Sequence, residues 1–594
     1  PEPGDFVDTP VYDRAELATG MTVAGPAVIE EPESTLILGA DSRSTVDGYG
    51  NLIVEIGEAR AVSVEDGFDA VTLEVLWRRL VTIVDEASAA LVRTAFSTVV
   101  RESDDFSCVL TDARGRSMAQ ATKSVPVFIG SLPATVKAML EHFPPDRIEE
   151  GDVLITNDPW MGTGHLFDIN IVKPIFFKGK LVGFSASTAH APEIGGKLDV
   201  HGVLDIYEEG FQIPPMKLYR RGALDESIVA LLRANVRAPE QVIGDLFAQI
   251  TGVRLMDQRV VGLMEEFGLA DLGPLADEIQ GRSEAAMREA IAALPDGTYR
   301  YALDTDGLKT PVHIEIALTV DGDRVDIDFD GSSPAVRGAI NVAYPYTYAF
   351  TAFAVKCIVS PHAPNNEGSF NPVSVKAPKG SILNHEFPLS GGQRVNTGHY
   401  LPIAVFGALG QVVPERVAAG AGSPLWSFLQ TGVRDGRPYA NKFFFNGATG
   451  ATCRADGVNV LSWPSNVSCT PVEMMEMLSP FRIHAKRFRR GTGGAGRFRG
   501  GSGQELLFET LSDSPISITF NADRTRNPAP GLAGGADGAC GEILLNGEWI
   551  DTRRQLTLNK GDVLTIRTPS GGGYGDAAER DPARSRHDET EGYA

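Results

Sequence analysis

The sequence predicts an α+β protein of several domains, with mixed sheets, long helices and a β-rich, glycine-rich C-terminal part. Three observations point there. Stretches with apolar residues at helical spacing, such as "VTLEVLWRRLVTIVDEASAALVRTAFS" from residue 71, neighbour alternating or continuous apolar runs such as "DVLITND" and "INIVKPIFF". From about residue 480 the chain turns to short strands and glycine. A length of 594 residues suits about three to five domains, and 43% hydrophobic residues supply the apolar surface for several cores.

Taken in order, residues 1–60 read as a short β-rich module, since "AGPAVIEEPESTLIL" and "YGNLIVEIG" run apolar around glycine turns. A linker follows at 61–70. Residues 71–300 form an α/β region: the long helix from 71, strands around "DVLITND", "INIVKPIFF" and "LVGFSAST", then helices over about 224–294. Strands return in a central β-rich region, 301–480, where "VHIEIALTVDGDRVDIDFDG" carries a hairpin signal at Asp321-Gly322. Residues 481–578 form a glycine-rich β region, and the polar 579–594 are expected to be a disordered tail.

The net charge of −23 argues against nucleic acid or a membrane surface as partner. No apolar run approaches the ~18 residues needed to span a bilayer. Five cysteines, odd in number and widely spaced, suggest reduced thiols in a cytoplasmic protein and show no zinc-finger spacing. The opening "PEPGDF" is neither a signal peptide nor an initiating Met, and reads as continuous with something upstream.

Among ten histidines, His165 and His190 stand out with Asp168. Asp168 opens one strand of an expected hairpin, and His190 closes the other. If the loop is Lys178-Gly179-Lys180, Phe177 pairs with Leu181 and Asp168 lies opposite His190, on the same face with Cβ atoms ~5 Å apart. A two-residue loop would slip the register by one and put them on opposite faces. His165, in a glycine-rich segment, could fold back to the same point. Two imidazoles and a carboxylate then make an open site for Zn²⁺ or Mn²⁺. The alternative is structural: a loop histidine, a turn-forming aspartate and a histidine at a strand end.

These stretches carry a resemblance. "RTAFSTVVRESDDFSCVLTDARGRSMAQ", "GDVLITNDPWMGTGHLFDI", "HAPEIGG", "EEGFQIPPMKL", "NNEGSFNPV", "GTGGAGRFRGG" and "TPSGGGYGD" occur in the order of the hydantoinase B family, over roughly residues 70–578. That family includes B-type parts of ATP-dependent hydantoinases, 5-oxoprolinase, caprolactamase and acetone or acetophenone carboxylases. Residues 1–60 resemble the C-terminal end of the hydantoinase A partner, which implies an A–B fusion in the parent polypeptide. The resemblance implies a divalent metal on His165, Asp168 and His190. Where relatives carry "HHxDIGG", this chain has Ala191 and Glu193. Glu193 is then a candidate fourth ligand or general base, and Asp158 either orients a ligand histidine from behind or is a turn residue.

No G-x-x-x-x-G-K-[ST] is present, and "GTGGAG" follows the basic run "HAKRFRR" rather than a buried strand, so it is a poor dinucleotide motif. The resemblance assigns ATP and Mg to the A half. Residues 481–503 hold seven Lys or Arg and no acid; Arg497 and Arg499 beside the glycine loop either hold a phosphoryl group or belong to a basic β-edge. Cys108 reads as a core cysteine. His399 either touches substrate or is a loop residue, and Asp205 and Glu209 either support the metal region or serve helix ends and loops.

The function expected is therefore the B-type catalytic portion of an ATP-dependent cyclic amide hydrolase. A hydantoinase A-like ATPase chain would be its partner in a hetero-oligomer. A hydantoin, 5-oxoproline or lactam, phosphorylated by the A half, would be hydrolysed at the metal. Alternatives are an acetone- or acetophenone-type carboxylase component and a non-catalytic scaffold for the ATPase half.

Overall fold

The computed structural model describes residues 7–56, 68–434 and 436–593. It divides into two compact units, Pro1–Gly67 and Phe68–Ala594. Most of the expected linker, 61–67, lies outside the described residues. The first unit is all β, as its alternating runs predict: two three-stranded sheets around Val23, Ala27, Ile29 and Leu38.

In the second unit the α+β class holds, but the boundaries expected near 300 and 480 do not separate compact units. The strand Trp426–Arg434 pairs with Ile516–Asn521, so one sheet straddles residue 480. Periodicity marks where strands are; it carries no sign of which distant strand completes the ladder.

The helix Ala70–Thr94 begins at Asp69, whose carboxylate accepts from the amides of Val71 and Thr72. Its buried Leu73, Leu76, Leu80, Val84, Ala87 and Leu91 follow the 3–4 spacing of one face. That face packs on the 28-residue helix Pro239–Glu266, where a Cβ on Gly252 would stand 3.0 Å from the Ala87 carbonyl. Together they cover a seven-stranded sheet whose centre is the hairpin Asp168–Phe177 and Lys180–His190. The helix Phe128–His142 covers the other face. Both faces are thus dry, and the hairpin strands read as continuous apolar and small residues rather than alternating ones.

A four-stranded sheet runs through Gly297–Thr305, Val312–Asp321, Arg324–Asp328 and Val373–Lys376. Its expected hairpin is present, with Gly322 at φ +57° as the first loop residue. Tyr344–Val359 and Leu401–Leu409 pack against it. Two further sheets, of four and five strands, face each other across Trp426, Phe428, Phe443, Phe445 and Phe508.

The glycine-rich stretches form no dinucleotide fold. They lie backbone against backbone: Gly494 N–H donates to Gly571 O and Gly571 N–H to Gly501 O, each at 2.9 Å. A Cβ on Gly500 would sit 1.9 Å from the Gly571 carbonyl, so this contact excludes any side chain. The expected disordered tail is instead ordered, with a helix at Pro582–Glu591 capped by Asp581 and closed by Gly592 at φ +74°. Ion pairs organise it, Arg580 bonding Asp456 at 2.8 Å and Asp588 at 2.5 Å. Because charge pairing and caps do this rather than an apolar stripe, hydrophobic patterning gives no sign of it. Among the described residues, no helix is long and apolar enough to cross a membrane, and all five cysteines are free.

Candidate metal centre

The hairpin brings Asp168 opposite His190, as the sequence predicts, but by a different construction. The loop has two residues, Lys178 and Gly179, both at positive φ (+50° and +78°), which is a type I′ turn. Phe177 pairs with Lys180 and Phe176 with Leu181. Left so, Asp168 and His190 would be out of phase. A bulge then absorbs Val182, since the next pair is Ile175 with Gly183, and from there Asp168 faces His190.

The loop before Asp168 is fixed by its own residues. Asn157 donates to the carbonyls of Leu166 (2.8 Å) and Phe211 (2.9 Å) and accepts from Ile213 N–H (2.6 Å). Glu209 accepts from Leu166 N–H (2.7 Å) and from the Ser390 hydroxyl (2.6 Å). Gly164 adopts φ +88°, and a Cβ there would lie 2.8 Å from Cδ of Arg394. These contacts turn His165 back onto the hairpin end.

There the three predicted residues meet. Asp168 Oδ1 lies 2.8 Å from His165 Nε2 and 3.1 Å from His190 Nδ1, and the donor atoms all fall within 4.8 Å of one another. All three residues are buried. His165 Nδ1 is 3.3 Å from the Gly392 carbonyl, to which it can only donate. Its Nε2 is then a bare lone pair without a hydrogen-bond partner, with the carboxylate oxygen close by but off its axis. Two acceptors this close in a dry site, with no proton shared between them, call for a cation that both can reach. Ligand atoms ~2.0–2.2 Å from a tetrahedral divalent ion are about 3.3–3.5 Å apart, close to the spacing seen. The imidazole N–H donated to a backbone carbonyl is also what orients a ligand histidine. The residues fit a divalent metal.

Three further charged groups surround the cluster. Arg394 donates to Asp168 Oδ2 (2.7 Å), leaving Oδ1 to the histidines, and its guanidinium rests 4.5 Å over the Tyr346 ring. Lys442 Nζ sits 2.9 Å from His190 Nε2. Asp105 Oδ2 is 3.9 Å from His190 Nδ1. These residues line a cavity of about 50 Å³ together with His399 and Leu425.

Burial dominates the titration of the site. It pushes His165 down to about 4, with Arg394 adding to the effect, and pushes His190 well below the ordinary histidine value, with Lys442 adding. Both imidazoles are therefore neutral, as ligands must be. Burial also opposes ionisation of Asp168, yet its charged and hydrogen-bonding neighbours, Arg394 on Oδ2 among them, hold its carboxyl well below the usual range. Burial, then the charge of Asp168, raises Asp105 to about 7. Burial lowers Lys442 to about 8, against the pull of Asp105 and Asp168.

Other sequence candidates are placed elsewhere. Glu193 is buried, but its carboxylate accepts from the amides of Arg237, Ala238 and Gly195 and from the Arg237 side chain. It holds the start of the helix Pro239–Glu266 rather than the cluster. Asp158 caps the turn Pro159–Met161 through Trp160 N–H (2.9 Å) and bonds neither histidine. Asp205 caps the short helix Ile206–Glu209. Arg499 pairs with the buried Asp588 (3.4 Å), and Arg497 stands 3.8 Å from Glu579; both are spent on the C-terminal segment rather than arranged around a phosphate. His399 lines the cavity and accepts from Leu425 N–H (3.3 Å). Cys108 is fully buried in its strand, its thiol pushed up to about 12 by burial.

Arg394, Lys442 and Asp105 escaped the sequence reading. Arg394 and Asp105 lie in distinctive stretches, "GGQRVNTGHY" and "RESDDFSC", a signal that could have raised them. Lys442 is one basic residue in a strand and carries no such signal.

Comparison with known proteins shows the family and the fold. The model of the hydantoinase B/oxoprolinase family matches residues 69–577. A putative D-/L-hydantoinase component from Pseudomonas sp. strain NS671 is 30% identical over 559 residues, 88% of this chain and 93% of the relative. The 5-oxoprolinase 1 of Arabidopsis thaliana is 29% identical over 616 residues, covering 96% of this chain but only 47% of that protein. Among solved structures, the ATP-dependent caprolactamase from Pseudomonas jessenii superposes with a TM-score of 0.81 at 28% identity, over 89% of this chain and 94% of that one.

Proposed function

The chain belongs to the hydantoinase B/oxoprolinase family, and from that premise we propose that it is the B-type catalytic portion of an ATP-dependent cyclic amide hydrolase. Its substrate is a hydantoin, 5-oxoproline or lactam whose amide oxygen a hydantoinase A-like ATPase partner phosphorylates with ATP and Mg. The observation that carries this reading is the bare Nε2 of His165, 2.8 Å from Asp168 Oδ1 and beside His190, with no hydrogen bond to satisfy it. Those three side chains would hold a divalent ion, Zn²⁺ or Mn²⁺. When bound, the ion supplies Lewis acidity and lowers the pKa of a coordinated water.

The surrounding residues have defined tasks. Arg394 fixes Asp168 through Oδ2 and keeps it ionised. The small, mostly enclosed cavity limits bulk water around the reacting carbon. Arg394 and Lys442 place positive charge beside the phosphorylated oxygen of that carbon. Breaking the C–N bond leaves a ring nitrogen that must take up a proton, and an acyl phosphate that a second water cleaves to carboxylate and phosphate. Asp105, with a carboxyl near neutrality, is placed to give that proton.

The test uses this chain co-purified with an A-type ATPase partner. Metal content and ring-opened product are measured for the parent, His165→Ala and His190→Ala. Loss of bound metal and of product, with ATPase activity retained, is expected. Unchanged hydrolysis in both variants would refute the reading, and bicarbonate-dependent ATP use with a ketone would favour a carboxylase.

A further inference from the structure

A second cavity, of about 610 Å³, lies away from the cluster and is within the size range of small-molecule sites. Its walls combine two kinds of surface. Leu308, Val336 and Ile340 make an apolar side, and Lys309, Arg337 and Arg553 bring three positive charges. None of these three cations forms a salt bridge with a carboxylate among the described residues. Glu208, the acid near Arg337, is taken by Lys197 at 2.6 Å. In a chain of net charge −23, this lining holds three cations and no acid, although Asp199 and Asp551 lie close to His201 behind it.

Another basic surface shows what a merely structural version looks like. Around Arg487, Arg489 and Arg567 each guanidinium is already ion-paired, with Glu505 or Glu542, though the cations still outnumber the acids. The 610 Å³ cavity has no acid in its lining, and His201 is its one imidazole. His201 Nε2 donates to the Phe520 carbonyl (2.8 Å), which leaves Nδ1 as a lone pair with no hydrogen-bond partner. One backbone carbonyl links residues of the two cavities. Gly392 and Arg394 line the cluster cavity, and Gln393 between them donates, at 3.5 Å, to the same Phe520 carbonyl that His201 uses.

We propose that this cavity binds a small organic oxyanion, a phosphate monoester or a carboxylate, with its apolar body against Leu308, Val336 and Ile340. Lys309, Arg337 and Arg553 hold the anionic end. The inference rests on the reading above only for the step that follows binding: an activated or acidic cyclic amide would be collected here before it reaches the cluster.

Isothermal titration of the full chain with phenyl phosphate and with benzoate tests it at low ionic strength. The comparison is parent, Lys309→Glu/Arg337→Glu, Arg487→Glu and His165→Ala. Lys309 and Arg337 are exposed, so the double variant keeps the fold. Saturable binding by the parent, Arg487→Glu and His165→Ala, weakened at least tenfold in the double variant, is expected. A preference for phenyl phosphate identifies a phosphoryl site, and one for benzoate a carboxylate site. No saturable binding of either probe, or equal binding by the double variant, overturns the proposal. Binding lost in His165→Ala but kept in the double variant also overturns it, placing the anion at the cluster and leaving the metal reading intact.

Discussion

Replacing Arg394 by methionine, of similar length but uncharged, isolates the charge that keeps Asp168 ionised. Arg394 meets Asp168 Oδ2 at 2.7 Å, with the two side chains only 4% and 0% exposed. Removing one partner of a buried pair strands the other charge, at about 3–5 kcal/mol. Unfolding entropy of ~2.1 cal/mol/K per residue, over a unit of about 530 residues, converts this to a fall in Tm of about 3–5 °C. Fluorescence-monitored melts in EDTA and with added Mn²⁺ or Zn²⁺ measure it. The full fall is expected in EDTA. With metal it shrinks, because a dication between Oδ1 and the histidines compensates the same carboxylate. It also shrinks in acid: without Arg394 the folded-state pKa of Asp168 rises, and protonation removes the stranded charge as pH falls. A Tm within 1 °C of the parent in EDTA would refute the reasoning, and so would an equal fall with and without metal.

Two further outcomes are expected. Glu193→Gln removes an ion pair and weakens the cap of a 28-residue helix, so urea melts should show a loss of about 1–3 kcal/mol while product formed per folded molecule stays at the parent level; a collapse of turnover at unchanged stability would restore Glu193 as a catalytic base. Asp523, raised to about 7 by burial and then by Asp306, binds its proton more tightly folded than unfolded, so its contribution is fully present below the unfolded carboxylate pKa and is lost as pH rises from about 4 to 7. Asp523→Asn keeps the acceptor for Tyr400 and should gain stability over the parent at pH 8, on the order of a few kcal/mol, but not at pH 4; equal pH profiles in urea melts would count against a buried, near-neutral Asp523.

What the sequence made legible divides along physical lines. The long helix from Ala70, the hairpin at Asp321-Gly322 and the β-rich first unit were readable because each rests on local periodicity and turn chemistry. His165, Asp168 and His190 were readable because a hairpin register and one loop bring them together. Arg394 and Lys442 were not, since they arrive from segments more than 200 residues away, and only the assembled unit places them. Glu193 misled for a related reason: proximity in sequence to His190 says nothing about the direction of its carboxylate, which the start of a distant helix claims. The ordered tail was missed because its helix is held by ion pairs to Asp456 and Arg499, which hydropathy does not register.

The hairpin carries a constraint on how this chain can vary. Its two-residue turn and the bulge at Val182 each displace the pairing by one position, in opposite senses. They behave as a matched pair of errors, and either one alone would throw His190 across the sheet from Asp168. A tolerated length change at the turn therefore has to be accompanied by a compensating one at the bulge. Two stretches of chain that bear no chemistry themselves are bound to each other by the requirement that two side chains end in phase.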